Sequence, residues 1–206
     1  MQITDSIFYI AILIMSVVIH EVSHGFVAEY FGDKTARSAG RLTLNPIKHL
    51  DMFGSIILPA ILVITHSPFL LGWAKPVPYN PNNLSNKRWG TIAVAAAGIT
   101  ANFLIAVVFG LIIRLGLKFS LPIGFYFITS AIVIVNLGLA IFNLVPIPPL
   151  DGSKILFSLF PTSISENLLA LEQYAFFLLL IFIVFFSEYL YPILAFLFHF
   201  LTGLAL

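Results

Sequence analysis

The sequence predicts an all-α polytopic membrane protein: a bundle of about 4–6 membrane segments, with a short re-entrant β element beside its main cluster of polar motifs. Three observations predict it. Only 9% of the 206 residues are charged and 60% are hydrophobic, whereas soluble domains carry about 25% charged residues. The apolar residues gather into runs long enough to cross a bilayer, separated by polar or Pro/Gly-containing connectors. Two of those connectors carry prolines and alternating side chains that suit extended backbone better than helix.

The first run, Ile7–Val27, is of spanning length and is interrupted by His20-Glu21-Val22-Ser23-His24. It is longer than the apolar core of a secretory signal and carries this motif, so it is expected to be retained. Arg41-Leu-Thr-Leu-Asn45-Pro46 alternates before an Asn-Pro turn signal, and Trp73-Ala-Lys-Pro76-Val-Pro78-Tyr-Asn80-Pro81 is held extended by its prolines. Both are expected as short strands at the mouth of a site, where irregular backbone at membrane depth can be satisfied; such an edge could clamp an extended peptide by strand addition. Between them Phe53–Leu71 is apolar but broken by Pro59, His66 and Pro68.

Thr91–Ile113 and Phe125–Val145 are clear spans. On the former, Ala93–Asn102 crowds small residues together, which suits close helix packing. On the latter, Asn136 and Asn143 are seven apart and share a face; Asn136 suits a helix–helix contact, whereas Asn143 precedes a Pro-rich break. Ser163-x-x-Glu166 is a plausible capping box before Tyr174–Leu206, which Ser187-Glu188 and Pro192 interrupt, giving either a tilted span with an interfacial helix or a hairpin. Residues 1–206 read as a single domain, with a core over 5–160 and a C-terminal membrane segment or hairpin over 164–206. No linker-like composition divides them.

The chemistry lies in His20-Glu21-x-x-His24. In a helix the two histidines stand one turn apart on one face, and Glu21 lies close enough to act on a water held there by a metal. A soluble helix can carry this pattern by chance. A charge at the centre of a membrane helix costs roughly 2.5–3.5 kcal/mol on insertion, so here a carboxylate and two imidazoles imply a partner or a function. The chain has no cysteine, which excludes disulfides, thiolate metal sites and a cysteine nucleophile. Its five histidines (20, 24, 49, 66 and 199) are too few for a His-rich di-iron cluster.

A catalytic zinc takes three protein ligands and a water, so a third ligand is needed. No glutamate lies between Glu29 and Glu166, and the residue six after His24 is Tyr30, so the downstream Glu or His of the soluble HExxH enzymes is missing. Asn143-Leu-Val-Pro146-Ile-Pro148-Pro149-Leu150-Asp151-Gly152 offers Asp151, whose alternative is a simple turn or helix cap. Together these motifs resemble the site-2 protease family of intramembrane metalloproteases. The resemblance runs through Gly32-Asp33-x-Thr35, Gly40-Arg41-Leu-Thr-Leu-Asn45-Pro46 and Ala74-Lys75-Pro76-Val77-Pro78, covers roughly residues 15–160, and is nearest to the compact bacterial branch without a PDZ or CBS module. Where family members commonly carry an AGP…N element, this chain has Ala97-Gly98-Ile99-Thr100-Ala101-Asn102.

The resemblance implies one Zn2+ held by His20, His24 and Asp151, with Glu21 as catalytic carboxylate and Asn143 stabilising the oxyanion. It also implies endopeptidase action on transmembrane or membrane-embedded peptides. Sharing one zinc puts the His24 end and Asp151 on one membrane side, so an even number of crossings separates them and Phe53–Leu71 makes no net crossing. Lys34, Arg37, Arg41, Lys48, Lys75, Lys87, Arg88 and Lys154 then share the zinc side, against Arg114 and Lys118, which makes it cytoplasmic. The lipid bilayer is the expected environment, a bacterial cytoplasmic membrane. Nucleic acid is not an expected partner, and the oligomeric state is open. Competing readings are a protease using Glu166, Glu172 or Glu188 as third ligand, a metal-binding transporter, and an inactive substrate-binding scaffold.

Overall fold

The computed structural model describes residues 3–57, 61, 64–65, 73–119, 121–161 and 170–206. Three long helices organise it: α1 (Ile3–Tyr30), α2 (Lys87–Gly116) and α3 (Ile123–Leu144). At 1.5 Å per residue each is longer than the roughly 30 Å of a bilayer's hydrocarbon. A short helix, α4 (Asp151–Leu159), follows the Pro-rich break, and α5 (Ala175–Phe186) and α6 (Leu190–Thr202) complete the fold. Among the described residues four helical runs are long and apolar enough to cross a membrane, the fourth being Ala170–Thr202. The backbone stays helical through Ser187–Tyr189, so the Ser-Glu interruption does not reverse the chain, and Pro192 sits in the first turn of α6, where proline is tolerated.

Local chemistry sets the helix ends. Gly32 takes φ 103 after α1, the left-handed position that glycine occupies without a Cβ clash, and the Asp33 N–H closes back on the Ala28 carbonyl at 2.9 Å. Asn86 caps α2 by accepting the Trp89 N–H at 3.0 Å. Pro146 and Pro148 end α3 and turn the chain into α4, with the Pro148–Pro149 peptide cis. The dry core lies where α2, α3 and α6 meet, built from Ala106, Ile113, Val133, Leu137, Phe198 and Leu201. Gly110 lets Leu201 approach so closely that a Cβ there would stand 2.8 Å from the leucine's, the small-residue packing typical of membrane helices. Outward faces carry exposed Phe8, Leu13, Leu104, Leu111, Phe177 and Phe185, as lipid contact requires.

The expected β element is corrected: no strand forms among the described residues. Trp73–Asn80 is extended but unladdered, because Pro76 and Pro78 lack the N–H groups a ladder needs. Arg41–Asn45 is irregular and passes into a 3₁₀ turn, Pro46–His49, that Asn45 caps by accepting the Ile47 N–H. Of Phe53–Leu71, only 53–57, 61 and 64–65 are described, and Met52–Ile57 forms a π-helical turn; its expected re-entrance, and the Ser163–Glu166 capping box, lie outside the described residues.

Candidate metal centre

The fold brings three sequence-distant side chains to one point. His20 and His24 project from one face of α1 with ring centroids 4.6 Å apart. The N-terminal residue of α4, Asp151, turns in to meet them: its Oδ2 lies 3.1 Å from Nε2 of His20 and 3.1 Å from Nε2 of His24. All three are buried. Gly152 permits this approach, since a Cβ there would collide with the backbone of Leu144 and Val145 at the end of α3. Lys154, one turn on in α4, donates to the other carboxylate oxygen of Asp151 at 3.2 Å.

The other nitrogen of each ring shows what the point can hold. His24 Nδ1 lies 2.6 Å from the Val94 carbonyl, and His20 Nδ1 lies 2.6 Å from Asn102 Oδ1. The Asn102 orientation is fixed, because its amide nitrogen donates to the Ser16 carbonyl at 3.3 Å and to Asn136 Oδ1 at 2.8 Å. The Asn136 amide in turn donates to Ser16 Oγ at 2.9 Å and to the Ile132 carbonyl. Both Nδ1 atoms therefore face pure acceptors and carry the protons, which turns both Nε2 lone pairs toward the Asp151 carboxylate. Such an arrangement suits a metal cation at its centre. Zinc fits: N and O ligands about 2.0–2.1 Å from a tetrahedral ion stand about 3.3 Å from one another, near the 3.1 Å found here.

Sequence reasoning missed the support for these ligands. The small-residue stretch of α2 is not only packing: a Cβ on Gly98 would stand 2.5–2.7 Å from three atoms of the His20 ring, so Gly98 is the socket for that ring. Fully buried Asn102 orients it, as the acceptors behind metal-bound histidines do. The available signal was an asparagine deep in an apolar helix, roughly 20 Å from its start at 1.5 Å per residue. Asn136 does hold helices together, and does so as the next member of this network.

Glu21 sits beside the two histidines, its carboxylate within 4.8 Å of their ring nitrogens. Its Oε2 accepts the Val77 N–H at 2.9 Å, which ties it to the extended segment 73–80. That segment is pinned along its length. Buried Arg41 donates to the carbonyls of Lys75 (2.7 Å) and Pro76 (3.3 Å), the Lys75 N–H reaches the His49 carbonyl at 2.8 Å, and the Asn80 N–H reaches Asp33 Oδ2 at 2.6 Å. Asp33 also accepts from Thr35 and from the Asn83 amide. Burial opposes its ionisation, but these hydrogen bonds outweigh burial and hold its carboxyl below the usual carboxylate range. Arg41 and Asp33, recognised in sequence only as parts of motifs, are thus the two charged side chains that anchor the strap touching Glu21. Asn143 lines the same cavity of about 340 Å³ as His20, Glu21, His24 and Asp151. One of its amide hydrogens goes to the Leu139 carbonyl of its own helix at 3.0 Å, which leaves the second for the cavity.

Comparison with known proteins agrees with this geometry. The sequence profile of Peptidase family M50 matches residues 8–121 and 118–186. The chain belongs to peptidase family M50. This M50 chain is 39% identical over 180 residues to a Bacillus subtilis (strain 168) protein named "Putative zinc metalloprotease YwhC", a match covering 84% of this chain and 78% of that one. It is 32% identical over 148 residues to "Putative zinc metalloprotease Rip2" of Mycolicibacterium smegmatis, covering 71% of this chain and 54% of the relative. No solved structure matches it. M50 membership upholds the site-2 protease resemblance and makes the chain a zinc metalloprotease, and the His20, Glu21 and His24 cluster could hold the metal.

Proposed function

We propose that this zinc metalloprotease hydrolyses peptide bonds in or near transmembrane segments of membrane proteins, with His20, His24 and Asp151 as zinc ligands and Glu21 as the general base and acid. The observation that carries the reading is the convergence of His20 Nε2, His24 Nε2 and Asp151 Oδ2 at a depth of roughly 10–20 Å along membrane-length helices, counted from Val94 and Asn102 on α2 at 1.5 Å per residue. A soluble peptide has no reason to meet a catalytic centre there.

Zinc, when bound, supplies a Lewis acid that lowers the pKa of a water toward about 7 and polarises the scissile carbonyl. Glu21 moves the protons. The Val77 N–H holds Oε2 and leaves Oε1 to accept the proton of the attacking water and return it to the leaving amine. Asn143, at the end of α3, directs its second amide hydrogen at the oxyanion that develops. The substrate must unwind locally, because the peptide bonds of a helix are shielded by their own hydrogen bonds, and the strap at 73–80 supplies an extended backbone beside which an unwound segment can lie. The proline-held extended backbone of that strap supports strand addition there, although no ladder forms among the described residues.

We also propose that residues 1–206 act as one catalytic unit, and that the zinc end faces the cytoplasm of a bacterial cell. Lys34, Arg37, Arg41, Lys48, Lys75, Lys87, Arg88 and Lys154 belong to that end, against Arg114 and Lys118 at the other, the asymmetry the positive-inside rule associates with the cytoplasmic face. The test is Glu21→Gln, assayed on one purified sample for bound zinc and for cleavage of a membrane-embedded substrate against a water-soluble peptide. Retained zinc, lost cleavage and a wild-type preference for the embedded substrate are expected. Normal cleavage by the variant removes Glu21 from the mechanism.

A further inference from the structure

A second cavity, of about 660 Å³, opens directly beside the catalytic one and shares Tyr79 and Lys154 with it. Its described lining is strongly unbalanced in charge: Lys87, Arg88 and Lys154 face Glu172, the one carboxylate there. Lys87 and Arg88 are held by neutral groups: Lys87 donates to Asn82 Oδ1 at 3.2 Å, and Arg88 donates to the Leu159 carbonyl at 2.7 Å and lies 5.8 Å from the centre of the Trp89 ring. Among the described residues neither has a carboxylate within ion-pair distance. Phe157 and the Tyr79 ring supply apolar wall between the charges, and Tyr79 belongs to the same strap whose Val77 touches Glu21.

We propose that this cavity is a substrate subsite for acidic side chains flanking the scissile segment, so that the enzyme favours substrates whose juxtamembrane residue near the cut is Asp or Glu. The inference rests on the proteolytic reading of the adjoining site. Two exposed cations without a carboxylate partner among the described residues, at the start of α2 and lining a cavity continuous with the catalytic one, place positive charge where a chain leaving the catalytic cavity must pass. Partner choice through complementary charge is the ordinary use of such an arrangement. An anionic lipid headgroup shares the charge but does not account for the passage into the catalytic cavity.

The test uses the full chain with zinc, in a neutral detergent that carries no anionic lipid, and two membrane-segment peptides that differ only in whether the flanking residues are Asp or Asn. Wild type should cleave the Asp peptide with a kcat/KM about threefold to tenfold higher, the range for two partly exposed ion pairs. Lys87→Gln/Arg88→Gln should abolish the ratio, Lys87→Glu/Arg88→Glu should invert it in favour of a Lys-flanked peptide, and Glu172→Gln should raise it. Binding of the same labelled peptides to Glu21→Gln reads the subsite without hydrolysis. Charge-dependent binding with no cleavage by wild type would refute the protease reading while upholding the subsite. An unchanged Asp/Asn ratio in the double variants overturns the proposal, and so does a preference that exists only when phosphatidylglycerol is added, which would make the cavity a lipid site.

Discussion

Replacing Gly98 by alanine should cost the enzyme its zinc without costing it its fold. The added Cβ would stand 2.5 Å from His20 Cε1, 2.6 Å from Nδ1 and 2.7 Å from Nε2, where ordinary contact begins at 3.4 Å. The ring must retreat by about 0.9 Å, since a packed interior has no void to absorb the methyl. That movement strains the 2.6 Å contact with Asn102 and carries Nε2 away from Asp151. Loss of the partner behind a metal-bound histidine lowers affinity about 10–100-fold, and displacing the ligand itself should reach the upper end. The effect on the apo fold is opposite in kind. Gly→Ala inside a helix gains about 1 kcal/mol of propensity, which offsets an overpacking cost of about 1–3 kcal/mol, so the net change should stay within about 2 kcal/mol. Competition with a chromogenic chelator in detergent measures the first quantity, and thermal unfolding of the zinc-free protein the second. Gly138→Ala, where a Cβ meets nothing within 4 Å, serves as the control and should keep wild-type zinc affinity. Wild-type affinity in Gly98→Ala would refute the claim that this glycine is the socket of a ligand.

Arg41→Met should retain zinc but reduce cleavage at least tenfold, because the carbonyls of Lys75 and Pro76 lose the guanidinium that holds the strap and Val77 no longer anchors Glu21; charge-assisted hydrogen bonds of this kind contribute about 1.5–3 kcal/mol each. Asn102→Leu should weaken zinc about 10–100-fold in chelator competition, because the acceptor that orients the His20 ring is lost. Asp33 has a folded pKa depressed below its unfolded value, so its contribution is present above about pH 3.9 and is lost as pH falls through the folded value. Proteolysis within 73–83 should therefore accelerate in wild type at acid pH, and Asp33→Asn should show that acceleration already at neutral pH. Single cysteines at Lys48 and Asn82 should react with a membrane-impermeant thiol reagent from the same side, in a chain that has no native cysteine; labelling from opposite sides would contradict the expectation that Phe53–Leu71 makes no net crossing.

The helical fold was legible because membrane residence leaves so few alternatives: apolar runs near 7–27, 91–113 and 125–145 had to become helices, and they did, the first two extended by about a turn at both ends and the third matched to within two residues. The His20, Glu21 and His24 cluster was legible because a helix repeats every 3.6 residues. Asp151 was reached through a resemblance, and the fold puts it within 3.1 Å of both histidines. The strands were misread because alternation and prolines report extended backbone, while pairing depends on a partner edge that Pro76 and Pro78 cannot supply. Asn102, Gly98, Arg41 and Asp33 stayed hidden for a different reason. Each acts across 34 to 86 residues of chain, as in the Arg41 contact with Lys75 and the Asn102 contact with Ser16, or through the space it leaves empty, and neither a period nor a composition records that.

The central claim is that Asp151 completes the zinc site with His20 and His24. Its most direct test is the zinc content of purified Asp151→Ala beside alanine variants of Glu166, Glu172 and Glu188, each measured after equilibration with a zinc buffer. A catalytic zinc that keeps two of three protein ligands should be held far more weakly, so Asp151→Ala should lose its metal and its cleavage while the glutamate variants keep their metal at the wild-type level. Full zinc occupancy in Asp151→Ala, with loss in any one of the three glutamate variants, would contradict the account.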